Sequence, residues 1–285
     1  MSKVIFYLII KPISLLPYPI IYGISNIISF LFFYIIPYRK KTVTKNIKNS
    51  FPQKDKKELN TIARKFYTHL SDIIVESIKL FSITQKQIDY RFSIENPEIL
   101  QTYFDQGRDV ILVGGHYNNW EILAVGINQI VPHDCIGIYT KLSNPFFDDK
   151  MKSSRSKFGL KMINTREVTS NFIKKNKTPR MTIFGADQSP TYSKNIHWTN
   201  FLNQDTAVAL GTERFSKKYN LPVVFCSINK WKRGIYSAKL SVLTENPQDT
   251  EDGEITEMHT SKLENQINTQ PEFWLWTHKR WKRKR

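Results

Sequence analysis

Cysteine is nearly missing from this 285-residue chain: there are two, Cys135 and Cys226, far apart and each inside an apolar run. Both read as reduced core residues on strands, and neither stands at metal-ligand spacing, so no zinc site is expected. His69, His133, His197 and His259 likewise have no partner at such spacing. Glycine is scarce at 11 residues, while 40% of the chain is hydrophobic, which fits a globular chain and excludes disordered or fibrous classes. Acidic residues are also short, 25 against 42 Lys and Arg, for a formal charge of +17. Such an excess implies a polyanionic partner, whether nucleic acid, anionic lipid headgroups or an acidic carrier protein. Internal repeats, low-complexity linkers and nucleic-acid-binding motifs are missing, and the basic residues are spread along the chain with clusters near the start and at the end.

Long apolar runs are confined to the beginning. Ile13 to Ile36 carries no charged residue and is long enough to cross a bilayer core, although Pro17, Pro19 and Gly23 weaken its first half as a spanning helix. A surface-lying or re-entrant segment, or the buried helix of a soluble protein, fits the same residues. Tyr18, Tyr22 and Tyr34 suit a membrane interface. With no small-residue cleavage site after it, the segment reads as a retained anchor over residues 1–38, followed by one domain over 39–285. Arg39, Lys40, Lys41, Lys45 and Lys48 come next and, by the positive-inside rule, hold that domain on the cytoplasmic side, against anionic headgroups.

Beyond the anchor, Asp55–Phe81 has apolar residues at helical spacing. From about residue 90 the pattern alternates. Apolar runs at Asp109–Gly114, Cys135–Tyr139, Arg180–Gly185 and Pro222–Ile228 read as strands. The stretches 97–106, 118–131, 145–158, 207–219 and 255–268 read as helices, and Ile235–Leu243 as an edge strand. Strands spaced by helices predict an α/β fold with a mostly parallel central sheet flanked by helices. Chemistry in such sheets gathers at the carboxyl ends of the strands. Two segments lie there: Gly114-Gly115-His116 and Gly185-Ala186-Asp187-Gln188.

His116 precedes a helix that carries Glu121. Five residues is not a same-face spacing, so the two meet only if His116 is extended ahead of the helix. A carboxylate on one ring nitrogen would then fix the tautomer, leaving the other nitrogen to take a proton from an alcohol. Backbone N–H groups at the helix start are candidates for stabilising an oxyanion. The same residues also fit a turn histidine and a first-turn dipole partner. Asp187 fits an ordinary turn cap, and Arg155 a solvated cation in the basic stretch 150–157.

The segment Gly115-His-Tyr-Asn-Asn-Trp-Glu121, with His-x-x-x-x-Glu after an apolar strand, resembles the lipid A biosynthesis (late) acyltransferases, within the glycerolipid acyltransferase superfamily. Further blocks are similar in the same order: Tyr139–Phe147 followed by Arg155 and Gly159, then Asp187-Gln188-Ser189-Pro190, then Phe201–Gly211, and Trp276-Thr-His-Lys-Arg-Trp-Lys282. At Asn203-Gln204-Asp205-Thr206 polar residues replace the family's usual small ones, and acyl-chain length and donor preference do not carry over. The resemblance implies a bacterial inner-membrane enzyme that moves an acyl chain from an acyl carrier protein thioester, or acyl-CoA, to a hydroxyl of a lipid A precursor. A lysophospholipid or aminolipid acceptor is the alternative. It implies catalytic His116 and Glu121, Arg155 near an acceptor phosphate, Asp187 orienting Arg155 or the acceptor, and Gln188 as a hydrogen-bonding neighbour. No cofactor, metal or nucleic acid is implied. Six Lys and Arg around Trp281 in residues 278–285 suit a membrane surface. A basic protein whose charge is itself the function, bound at a membrane or on nucleic acid, is the non-enzymatic alternative.

Overall fold

The computed structural model describes residues 1–174, 176–190 and 195–285. Short helices α1 (Ser2–Ile5) and α2 (Lys11–Leu15) lead to α3 (Tyr18–Phe30), which runs on through a wider helical turn to Ile35 before Pro37. After α4 (Lys40–Ser50) comes α5 (Lys56–Leu80), a single 25-residue helix opened by an Asp55/Glu58 capping box. Tyr18–Ile35 has the length and composition to cross a membrane, and the structure lays it along α5. The contact is polar as well as apolar: Tyr22 bonds Glu76, Ser25 bonds Asp72, and Lys79 reaches the carbonyls of Ser14 and Leu16.

The sheet then builds up through α6 (Gln85–Arg91), β1 (Phe92–Ile94), α7 (Glu98–Asp105), β2 (Val110–Gly114), α8 (Trp120–Gly126), β3 (Asp134–Tyr139) and α9 (Pro145–Arg155). It continues with β4 (Lys161–Asn164), α10 (Val168–Ile173), β5 (Arg180–Gly185), the hairpin β6 (Ile196–Phe201) and β7 (Gln204–Ala209), then α11 (Gly211–Tyr219). Strands β8 (Val223–Lys232) and β9 (Ile235–Thr244) and helix α12 (Glu254–Thr269) complete it. The seven-stranded order is β1-β9-β8-β2-β5-β3-β4, parallel except for β8 against β9. The expected α/β architecture is therefore present. Both layers of the core follow from the two-residue period of the strands. On β2, Ile111 and Val113 face one cluster with Tyr67, Trp274 and Trp276, whereas Val110 and Leu112 face the other with Leu100 and Ile122.

Two expectations change. Ile235–Leu243 is not the outermost strand, because the three residues of β1 pair along it. Residues 207–219 are not one helix: Ala207–Ala209 finish β7, and α11 starts at Gly211. The hairpin turn is Leu202-Asn203, both at positive φ as a two-residue primed turn requires, but without the glycine that usually signals one. The basic C-terminal stretch packs against the body of the protein. Trp276 and Arg280 are buried, Asn46 donates to the carbonyls of Trp276 and His278, and Trp281 donates to Thr206.

Strands β2 and β5 are neighbours in parallel register, with Val110 opposite Met181 and Gly114 opposite Gly185. Asp109 and Arg180 form a two-pronged ion pair where the strands begin. Both strands consequently finish at the same level. Two residues beyond each glycine stand His116 and Asp187.

Candidate active site

Gly115 leaves room for α12 at one strand end, and Gly185 leaves room for the His116 ring at the other. A Cβ on Gly115 would lie 2.7 Å from the Leu263 side chain, and one on Gly185 would press on the His116 ring at 3.2 Å. Across this gap Asp187 holds His116 twice. Its Oδ1 lies 2.6 Å from Nδ1 and its Oδ2 accepts the His116 backbone N–H at 2.9 Å. The Trp274 indole N–H also donates to Oδ2, at 2.9 Å. With Nδ1 committed to the carboxylate, Nε2 is the nitrogen left to face a substrate, and the Gln188 amide nitrogen lies 3.2 Å from it. The His116 side chain is 24% exposed, enough to leave that nitrogen within reach of a substrate.

Electrostatics favour the charged pair. Burial pulls the His116 pKa down, but the charge and hydrogen bond of Asp187, with the charge of Glu121, outweigh it and raise the value above 6.5. Burial would push Asp187 up. The His116 charge, two bonds to His116 and the Trp274 N–H bring it well below the ordinary carboxylate range instead. Nearby, His278 Nε2 accepts the Ser189 N–H. Burial lowers the His278 pKa to about 4, with Asp187 opposing and Arg280 assisting, so that ring is neutral.

Glu121 does not hold the imidazole. Its carboxylate takes a two-pronged bond from Arg155, Nε at 2.8 Å and Nη2 at 2.5 Å, and the Trp120 indole N–H at 3.1 Å. The reason is the helix start. Asn119 caps α8 by accepting the Ile122 N–H, which puts Glu121 on the first turn toward α9, while the Trp120 ring stands edge-on to His116 at 5.1 Å. The backbone N–H groups expected to meet an oxyanion are partly engaged already: that of His116 by Asp187, Asn118 by Phe273 and Ile122 by Asn119.

From His116 an apolar pocket of about 140 Å³ descends between the sheet and α8. Leu112, Leu123, Ile138, Met162 and Ile183 line it, with Arg155 on its wall. A base beside an apolar cavity and a buried ion pair suits a reaction that joins a polar group to a hydrocarbon chain.

The family model described as bacterial lipid A biosynthesis acyltransferase matches residues 3–283. The chain belongs to that family. It is an acyltransferase of lipid A biosynthesis. It is also 22% identical over 268 residues to the lipid A biosynthesis lauroyltransferase of Escherichia coli strain K12, covering 94% of this chain and 87% of that one. The non-enzymatic reading drawn from charge is thereby set aside.

Within this acyltransferase the five residues singled out from the sequence fall into two adjoining pairs and one neighbour: His116 with Asp187, Glu121 with Arg155, and Gln188 on the His116 ring. Sequence reasoning missed Trp274, which shares Asp187, and Asn119, which sets the angle of α8. A buried indole needs an acceptor, and Asn three residues before a helical N–H is a cap, so both signals were present without an address.

Proposed function

We propose that the protein transfers a fatty acyl chain from the thioester of an acyl carrier protein, or from acyl-CoA, to a hydroxyl of a lipid A precursor at the cytoplasmic face of the bacterial inner membrane. The observation that supports this most is the His116–Asp187 pair at the mouth of the apolar pocket. The acceptor hydroxyl gives its proton to His116 Nε2 while its oxygen attacks the thioester carbonyl. Collapse breaks the carbon–sulfur bond, and the imidazolium returns the proton to the leaving thiolate. Asp187 fixes the tautomer and stabilises the imidazolium, the part first expected of Glu121. Glu121 holds Arg155 on the pocket wall, where a planar guanidinium suits an acceptor phosphate. Gln188 marks the place of the attacking hydroxyl.

The acyl group passes directly from donor to acceptor. Cys226, the thiol lining the pocket, is pushed up to about 12 by burial and is a poor nucleophile, which supports this order. The outward side chains Ile20, Ile27, Phe30 and Tyr34 of the N-terminal helix, and the lysines after it, suit a bilayer and its anionic surface.

The test is transfer from an acyl-carrier thioester to a phosphorylated lipid A precursor by the full chain and by His116→Ala. A loss of about 1,000-fold or more is expected, with sedimentation on membranes unchanged. Transfer retained by that variant overturns the reading. Mass spectrometry of membrane lipids with and without the active protein separates a lipid A acceptor from a lysophospholipid or aminolipid.

A further inference from the structure

Glu76 sits in the middle of α5, buried and outside the site described above. Its carboxylate accepts three hydrogen bonds from three distant parts of the chain. The Tyr22 hydroxyl, on apolar helix α3, donates to Oε1 at 2.9 Å. The Tyr236 hydroxyl, on β9, donates to Oε2 at 2.8 Å, and the Asn119 amide donates to the same oxygen at 2.6 Å. Asn119 is the cap of α8: its other side-chain atom, Oδ1, takes the Ile122 N–H at 2.9 Å. One side chain therefore fixes the helix that carries Glu121 and ties it to Glu76.

The rest of the turn is pinned in the same manner. Asn118 has φ of 54° and donates its side-chain amide to the Ile228 carbonyl, while its backbone N–H goes to Phe273. Both asparagines are buried. Four residues separate His116 from Glu121, so a shift of this turn moves the base relative to Asp187 and the carboxylate relative to Arg155. One turn away on α5, Asp72 accepts from Ser25 of α3 and from Arg233 after β8. The seating of α3 thus rests on two carboxylates, one of which also holds the catalytic turn.

We propose that Glu76 is a positioning residue for acyl transfer. Through Asn119 it fixes the turn between His116 and Glu121, and through Tyr22 it makes the geometry of that turn depend on how the N-terminal apolar helix is seated. The inference rests on His116 as the base. It adds that the membrane-facing helix is part of the catalytic scaffold, because the two share one buried carboxylate.

A double-mutant cycle in the full chain on phospholipid vesicles tests it, with kcat, KM and melting temperature measured for each variant. Asn119→Ser keeps an oxygen for the cap and removes the donor to Glu76. It is expected to lower kcat about 10-fold, the scale of one hydrogen bond to a charged group, with both KM values within about two-fold. Glu76→Gln keeps an acceptor oxygen and is expected to stay within about three-fold of the parent kcat, whereas Glu76→Ala falls as far as Asn119→Ser. The double variant Glu76→Ala/Asn119→Ser is expected to fall no further than the worse single variant. An unchanged kcat in Asn119→Ser, or single losses that multiply in the double variant, overturns the proposal. Should Glu76→Ala fail to fold, Asn119→Ser against Glu76→Gln decides alone. His116→Ala, run in parallel, reports on the base assignment separately: activity there overturns the base, and the cycle still reads the coupling of 76 to 119.

Discussion

Asp187 and Glu76 are both buried carboxylates that accept three hydrogen bonds, yet their protonation is driven in opposite directions. Asp187 takes two N–H donors from His116 and one from Trp274, and its pKa is held far down. Glu76 takes two tyrosine hydroxyls and an amide, and its pKa is raised. Burial pushes both upward. For Glu76 the neighbouring Asp72 adds to that push, and the tyrosines and Lys230 only reduce it. For Asp187 the cationic imidazole reverses it. Filling the lone pairs of a carboxylate satisfies its geometry, but the sign of the nearest charge decides its ionisation. One site is consequently suited to moving a proton and the other to holding a structure together.

Between the two carboxylates, the larger effect is expected from removing the charge at Asp187. Asp187→Asn keeps a similar shape and can still accept from Trp274, but it no longer stabilises an imidazolium. A fall in kcat of about 100-fold or more is expected. The pH–rate profile checks the cause. As the proposed base His116 would act when neutral, so activity is expected to rise with pH through its pKa, which lies above 6.5 in the parent. In the variant the acidic limb moves to lower pH; an unmoved limb would mean that Asp187 does not tune the base.

A second experiment sets the two sites against each other through stability. The folded-state pKa of Asp187 lies below its ordinary 3.8, so its contribution is present above that value and is lost as pH falls. The folded-state pKa of Glu76 lies above its ordinary 4.5, so the native state holds the extra proton, and stability from this group is lost as pH rises from there. Melting temperatures across acid pH should therefore diverge. The advantage of the parent over Asp187→Asn grows with rising pH, while its advantage over Glu76→Gln shrinks. Parallel slopes for the two variants would remove the contrast. The smallest effect is expected from Tyr22→Phe, which removes one of the donors to Glu76 and costs about 1 kcal/mol by chemical denaturation.

Much of the architecture was legible because it is locally encoded. Runs such as Val110–Val113 announce buried strands, and apolar residues at helical spacing over 55–81 announce α5. The β6–β7 hairpin was hidden because Leu202-Asn203 adopts a primed turn without glycine. In the C-terminal stretch six Lys and Arg spell a charged surface, while Trp274 and Trp276, which anchor its approach in the core, leave no periodic trace.

At the site itself, the sequence alone determined which polar residues stand at strand ends: His116 after Gly114-Gly115, Asp187 after Gly185, and Glu121 on the first turn that follows. That is local, fixed by glycine, strand length and the helix start. The tertiary structure alone decided who pairs with whom. His116 meets Asp187 because β2 and β5, some 70 residues apart, lie side by side in a register that ends both at glycine. Glu121 meets Arg155 because α8 packs beside α9. Parallel neighbours are chosen by crossover topology and by burial on both faces of the sheet, and neither is written in the spacing of any one segment.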